Sequence, residues 1–150
     1  MRWNDIGEAR CSVARALSVV GDRWTMLLVR EAFLGTRRFD AFQRNTGASR
    51  AIVTERLRDL VAEGVLDRVQ YHDHPERFEY RLTAKGRDLY PVVTSLLAWG
   101  DRWAPAPAGP PVTLVHKECG ATIHPELVCP ECGGPASSRH IRAVVDRPTT

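Results

Sequence analysis

Two short segments near the C-terminus carry metal-binding side chains at ligand spacing: His116-Lys-Glu-Cys119-Gly and Cys129-Pro-Glu-Cys132-Gly. Two residues between ligands let a tight turn aim both side chains at one ion, and the glycine that follows suits such a turn. Ten positions from Cys119 to Cys129 leave room for a hairpin between the turns. The pattern predicts a compact zinc-ribbon-like module with a tetrahedral Cys3His site, structural because four protein ligands leave no position open for catalysis. With histidine in place of a ribbon's first cysteine, that ligand stays open between His116 and His124. Two other readings stand beside this one: a ribbon without metal, and a redox pair of Cys129 and Cys132. A reducing compartment disfavours a stable disulfide there.

The fourth cysteine, Cys11, lies far from the others and at the start of an expected helix, with Arg10 and Arg15 nearby. A helix N-terminus and neighbouring guanidinium groups favour the thiolate form. The competing reading is a small, half-buried thiol packed at a dimer interface. The histidines at 72, 74, 116, 124 and 140 have no evident carboxylate partner in the sequence, so no enzyme is expected.

A third chemistry is carried by arginine. Of 21 basic residues, 19 are Arg, and residues 36–58 hold six of them (37, 38, 44, 50, 56, 58) against Asp40 and Glu55. Residues 105–150 are neutral, so the chain's net charge of +3 resides in the first 104 residues. Guanidinium groups fork onto phosphates and guanines, which makes duplex DNA the expected partner.

Periodicity indicates the elements that would position these groups. Val13, Leu17 and Val20 share one helical face, and Asp22 can cap a helix with Trp24, Leu27, Leu28 and Ala32 on its apolar stripe. Arg37–Phe39 reads as a short extended piece, and Asp40 with Gln43 as a capping box for a brief helix ending before Gly47. Ser49 can cap the next helix, with Val53, Leu57, Leu60 and Val61 inward and Gly64 at its end. Alternation then predicts strands near 66–72 and 77–82, joined at Asp73-His74-Pro75-Glu76. Thr83 should start a long helix with Leu89, Val93, Leu96, Leu97 and Trp103 inward, kinked at Pro91.

Helix, turn, helix and hairpin in this order make a mainly α winged helix-turn-helix, with a small β-hairpin as wing. Opposite the inward residues of the 49–63 helix lie Arg50, Ala51, Thr54, Glu55 and Arg58, on a face narrow enough for a major groove of about 12 Å. Arg50 and Arg58 can read guanine or grip phosphate, Thr54 and Ala51 suit a thymine methyl, Arg77 can reach the minor groove, and Arg37 and Arg38 the flanking phosphates. The segment Ala-Pro-Ala-Pro-Ala-Gly-Pro-Pro at 104–111 is a stiff linker. It predicts a domain over 1–104, a linker over 105–111 and a tail over 112–150 that is too small to bury a core of its own.

From Cys11 to Trp103 the chain resembles the HxlR-type transcriptional regulators, a branch of the MarR-like winged helices. The resemblance rests on Cys11-Ser-Val-Ala-Arg-Ala-Leu, Gly21-Asp-Arg-Trp24, Leu28-Val-Arg30-Glu, Gly35-Thr-Arg-Arg-Phe39 and Arg56-Leu-Arg-Asp-Leu60. Glu63-Gly64-Val-Leu, Pro75, Glu79-Tyr80-Arg-Leu-Thr83, Lys85-Gly86 and Trp99-Gly100 continue it. It implies a homodimer joined through the N-terminal and long C-terminal helices on a palindromic operator. It also places Ser49 with Arg37, Arg38, Arg50, Thr54, Arg58 and Arg77 among the operator contacts, and makes Cys11 a candidate sensor. A small-molecule effector is a further implication, with Trp24, Trp99 and Trp103 as cavity lining or as plain core. The alternative is an adaptor that uses the winged helix and ribbon for protein contacts. No apolar stretch is long enough to span a membrane, and acids in the first eleven residues disfavour a signal peptide, so a cytoplasmic protein is expected.

Overall fold

The computed structural model describes residues 3–145. A 3₁₀ turn (Trp3–Glu8) leads into α1 (Ser12–Val20), α2 (Arg23–Phe33), α3 (Phe39–Thr46) and α4 (Arg50–Ala62). The antiparallel pair β1 (Leu66–Asp73) and β2 (Glu76–Leu82) follows, then α5 (Ala84–Arg87) and α6 (Tyr90–Trp103). Compact units form over Met1–Thr94 and Ser95–Thr150, with the division inside α6.

Local chemistry sets the helix starts. Asp22 accepts hydrogen bonds from the Trp24 and Thr25 amides, Ser49 from Ile52 and Thr83 from Gly86, so orphan N–H groups are satisfied at α2, α4 and α5. Asp40 is not a cap: α3 begins at Phe39, two residues earlier than a cap at Asp40 would place it, with Arg38 as an N-cap lacking a side-chain bond and Asp40 in the first turn. There the carboxylate meets the positive end of the helix dipole instead. Gly47, at φ 70°, turns the chain between α3 and α4 in the left-handed conformation that glycine adopts without strain.

The first unit closes on Leu28, Val29, Phe42, Val53, Leu57, Leu60, Val65 and Leu66, each almost fully buried. Burying such side chains stabilises by about 1.5–3 kcal/mol apiece, so α2, α3 and α4 are held at fixed angles under the hairpin. The hairpin pairs Leu66 with Leu82 and Asp73 with Glu76, with an irregularity between Gln70 and His72. The amide of Tyr80 donates to the Arg37 carbonyl at 2.7 Å, tying the extended segment before α3 to the edge of β2.

Two expectations for the last helix are corrected. It is not one kinked helix from Thr83: α5 stops at Arg87, and Pro91 lies in the first turn of α6. Proline has no N–H to donate to the carbonyl four residues back, so the favourable arrangement is a fresh start, where that donor would be an orphan anyway. Leu96 and Trp103 do not point inward. They are 53% and 63% exposed, and with Val92 and Trp99 they form one outward stripe at positions 92, 96, 99 and 103.

In the second unit the backbone makes two small hairpins, each with one isolated bridge, Val115 to Thr122 and Val128 to Pro135. Among the described residues from 104 to 145, none is buried.

Candidate nucleic-acid interface and cysteine sites

The α3–turn–α4 unit is clamped by a buried carboxylate. Glu31, 4% exposed near the end of α2, accepts from Thr36 Oγ1 and Asn45 Nδ2 at 2.8 Å each and pairs with Arg30 at 2.8 Å. Burial pushes its carboxyl up, but the bonds from Asn45, Thr36 and Arg30 outweigh that and hold it below its ordinary value. Asn45 belongs to α3 and Thr36 to the connecting loop, so this one group fixes the angle between α2 and α3. A second tie runs to α4: Arg56 Nε stands 3.2 Å from Asp22 Oδ1, and Nη1 lies 3.4 Å from Asp59 Oδ2. The Asp22 contact is an ion pair rather than an aligned hydrogen bond, since Arg56 Nε has no geometric acceptor. Arg56 therefore serves the scaffold.

The remaining arginines of the basic segment face outward. Arg37, Arg38, Arg44, Arg50 and Arg58 are exposed, as are Ser49, Ala51, Thr54 and, on β2, Arg77. Two of them are held in place. The Arg50 guanidinium lies 4.8 Å from the centre of the Phe39 ring, and that of Arg38 4.7 Å from that of Tyr71. Such stacking contributes about 0.5–1 kcal/mol at exposed sites and restricts the long side chains. Arg58 reaches Asp59 at 3.2 Å, an exposed pair that a phosphate could displace at little cost. Ser49 spends one lone pair on its cap, and Thr54 Oγ1 donates to the Arg50 carbonyl at 2.8 Å, leaving its methyl group for apolar contact. Sequence reasoning found the arginines but missed Phe39 and Tyr71 as platforms and Glu31 as clamp. A ring eleven or more positions away leaves no periodic signal.

The cysteine sites fall in two places. Cys11 is the exposed N-cap residue of α1 and makes no capping bond through its side chain; Arg15 is turned to the Ala9 carbonyl and Ser12 Oγ. In the second unit, His116 Nδ1 lies 3.2 Å from Cys119 Sγ. Backbone N–H groups of Cys132 and Glu131, with the Cys132 thiol, point at Cys129 and hold its thiol below the ordinary value. His124 is placed elsewhere, lining a cavity of about 340 Å³ with Leu97, Asp101, Arg102 and Ile123. Among the described residues, no three His, Cys, Asp or Glu side chains gather within reach of one ion. Trp24 packs against the first unit's core, while Trp99 and Trp103 are each 63% exposed.

A three-helix core, a turn of fixed geometry, an outward arginine face and a two-stranded wing define a winged helix-turn-helix transcription regulator that binds DNA. The HxlR-like helix-turn-helix profile matches residues 19–107, and the chain belongs to that family. The chain is 49% identical over 130 residues to the HTH-type transcriptional regulator Rv3095 of Mycobacterium tuberculosis, covering 87% of this chain and 82% of that protein. The solved structure of PA1607, described as a transcription factor, is similar over 93% of this chain and 98% of its own, at 38% identity and a TM-score of 0.82. The redox regulator HypR, in its oxidised form, matches at 35% identity and a TM-score of 0.57, covering 61% of this chain and 96% of its own. These relatives are regulators rather than enzymes. Among the described residues, no helix is long and apolar enough to cross a membrane.

Proposed function

We propose that the chain acts as a homodimer on a palindromic operator, with the N-terminal half of α4 in the major groove. The observation that carries this reading is the outward face of Arg50, Thr54 and Arg58, with Arg50 and Arg38 already stacked on Phe39 and Tyr71. Arg50 and Arg58 would meet base edges or phosphate, Ser49, Arg37 and Arg38 the backbone, and Arg77 the adjacent minor groove. Dimer contacts would come from the stripe Val92, Leu96, Trp99 and Trp103 of α6, with Val13 and Leu17 of α1, all exposed in the single chain. The adaptor reading has no comparable support.

Two inputs fit this arrangement. Oxidants or electrophiles could modify exposed Cys11 at the start of a dimer helix, as befits similarity to a redox regulator. A small organic effector could occupy the 340 Å³ cavity, whose polar rim includes Asp101, Arg102 and His124.

The test is selection of bound sequences from random duplexes, followed by titration. A palindromic site should emerge, with affinity falling steeply as salt rises, by a log–log slope of about −0.9 per phosphate contact. Arg50→Ala should weaken binding by about 1–3 kcal/mol and relax the preference at one position of each half-site. Unchanged affinity and specificity in that variant would sink the placement of α4. Repeating the titration after peroxide treatment should cost the wild type affinity and spare Cys11→Ser; equal loss in both would remove Cys11 from the mechanism.

A further inference from the structure

We propose that the second unit is organised by one zinc ion held by His116, Cys119, Cys129 and Cys132. The first argument is a backbone repeat. In the first turn the Gly120 amide donates to the His116 carbonyl at 2.8 Å, and the His116 amide to Ala121 at 2.9 Å. In the second the Gly133 amide donates to the Cys129 carbonyl at 2.8 Å, and the Cys129 amide to Gly134 at 2.8 Å. Gly120 and Gly133 both sit at φ 71°, in the left-handed region. The two segments, which share Glu-Cys-Gly after His-Lys in one and Cys-Pro in the other, thus build the same turn, and in each the equivalent positions carry the ligand-type side chains. A turn of this kind points amide hydrogens at a sulfur and aims two side chains at one point.

The second argument is what the unit lacks. Among the described residues from 104 to 145 no side chain is buried, and Val115, Leu127, Val128 and Ile141 are each more than half exposed. A segment this size with defined turns and no core needs another source of order, and a structural metal is the usual one for a cytosolic-type cysteine pattern. Three thiols and an imidazole are soft and borderline donors, which suit zinc and not magnesium or calcium.

The geometry also chooses between the two histidines. His116 stands 3.2 Å from Cys119 Sγ, while His124 lines the cavity beside Leu97 and Ile123. The two pairs are not gathered in this structure. Zinc binding therefore has conformational work to do: it draws two ready-made half-sites together, releasing the thiol protons to solvent as the thiolates bind.

The full-length chain, purified from zinc-replete medium without chelator, should carry one zinc per chain in native mass spectrometry. Replacing zinc by cobalt(II) should give the intense visible bands of a tetrahedral ion and near-ultraviolet thiolate charge transfer. His116→Cys should keep one metal and shift those bands toward an all-thiolate site, and His124→Ala should leave them unchanged. Removing zinc from the wild type with an organomercurial and a chelator should expose Lys117 and Arg139 to trypsin at least tenfold faster, while the first unit stays protected. Cys129→Ser with Cys132→Ser should behave like the stripped wild type. A chain that neither carries zinc nor takes it up from micromolar free ion would overturn the proposal. So would an octahedral cobalt spectrum, or trypsin protection unchanged by metal removal.

Discussion

Glu31 shows how much one side chain can decide. Its carboxylate joins α2, the Thr36 loop and α3 in a setting nearly closed to water. Glu31→Ala would remove the bonds that tie Asn45 and the Thr36 loop to α2 and empty a buried site, so urea denaturation should show a loss of about 1–3 kcal/mol. The pH dependence has a definite sign. Because the folded carboxyl is held below its unfolded value, its contribution is whole above about pH 4.3 and fades as pH falls through the lower folded value. Stability curves of wild type and Glu31→Ala should therefore converge on acidification; a constant gap down to pH 2 would refute the clamp. Residues of this kind were legible only when their partners were close in sequence. Asp22, Ser49 and Thr83 bond amides two or three positions on, and their roles were readable. Glu31 reaches Asn45 across fourteen positions and Arg38 reaches Tyr71 across thirty-three, distances that only the folded chain closes.

At the scale of elements, the junction of hairpin and last helices is the tightest point. A Cβ built on Gly86 would lie 2.2 Å from the Val65 carbonyl oxygen and 3.0 Å from Leu82 Cδ2. Val65 is buried and its carbonyl already accepts from the Thr83 amide at 3.1 Å, so that space does not open freely, and Gly86→Ala should lower stability by about 1–3 kcal/mol, read as a fall in the urea midpoint. An unchanged midpoint would mean that α5 is free to move off the hairpin. The same junction uses Lys85 Nζ to cap the Glu63 carbonyl at 2.6 Å, and Thr83 Oγ1 to cap that of Gly64 at 2.6 Å. The helices, the turn at Gly47 and both strands were legible, since periods of 3.6 and 2 and the punctuating glycines agreed. The break before Pro91 was not: capping at Thr83 and apolar spacing through Trp103 were each compatible with one helix, and the ring decided otherwise.

For the whole molecule, the outward stripe of α6 is the dominant feature. Val92, Leu96, Trp99 and Trp103 recur at intervals of four, three and four, the spacing of a helix-to-helix seam. Leu96→Glu with Trp99→Glu should weaken self-association by at least about 2 kcal/mol, giving monomers in sedimentation equilibrium and a matching loss of operator affinity. Dimers of undiminished strength would place the interface elsewhere. The sequence showed that this helix has an apolar face, but periodicity does not say whether the face meets the chain's own core or another chain. That is why Leu96 and Trp103 read as interior. In the dimer proposed above, such a seam would tie folding to copy number. By mass action, dilution should lower the melting temperature as well as occupancy of the operator. Scarce chains would then be the ones most open to proteolysis, so the cellular dose would steepen its own threshold.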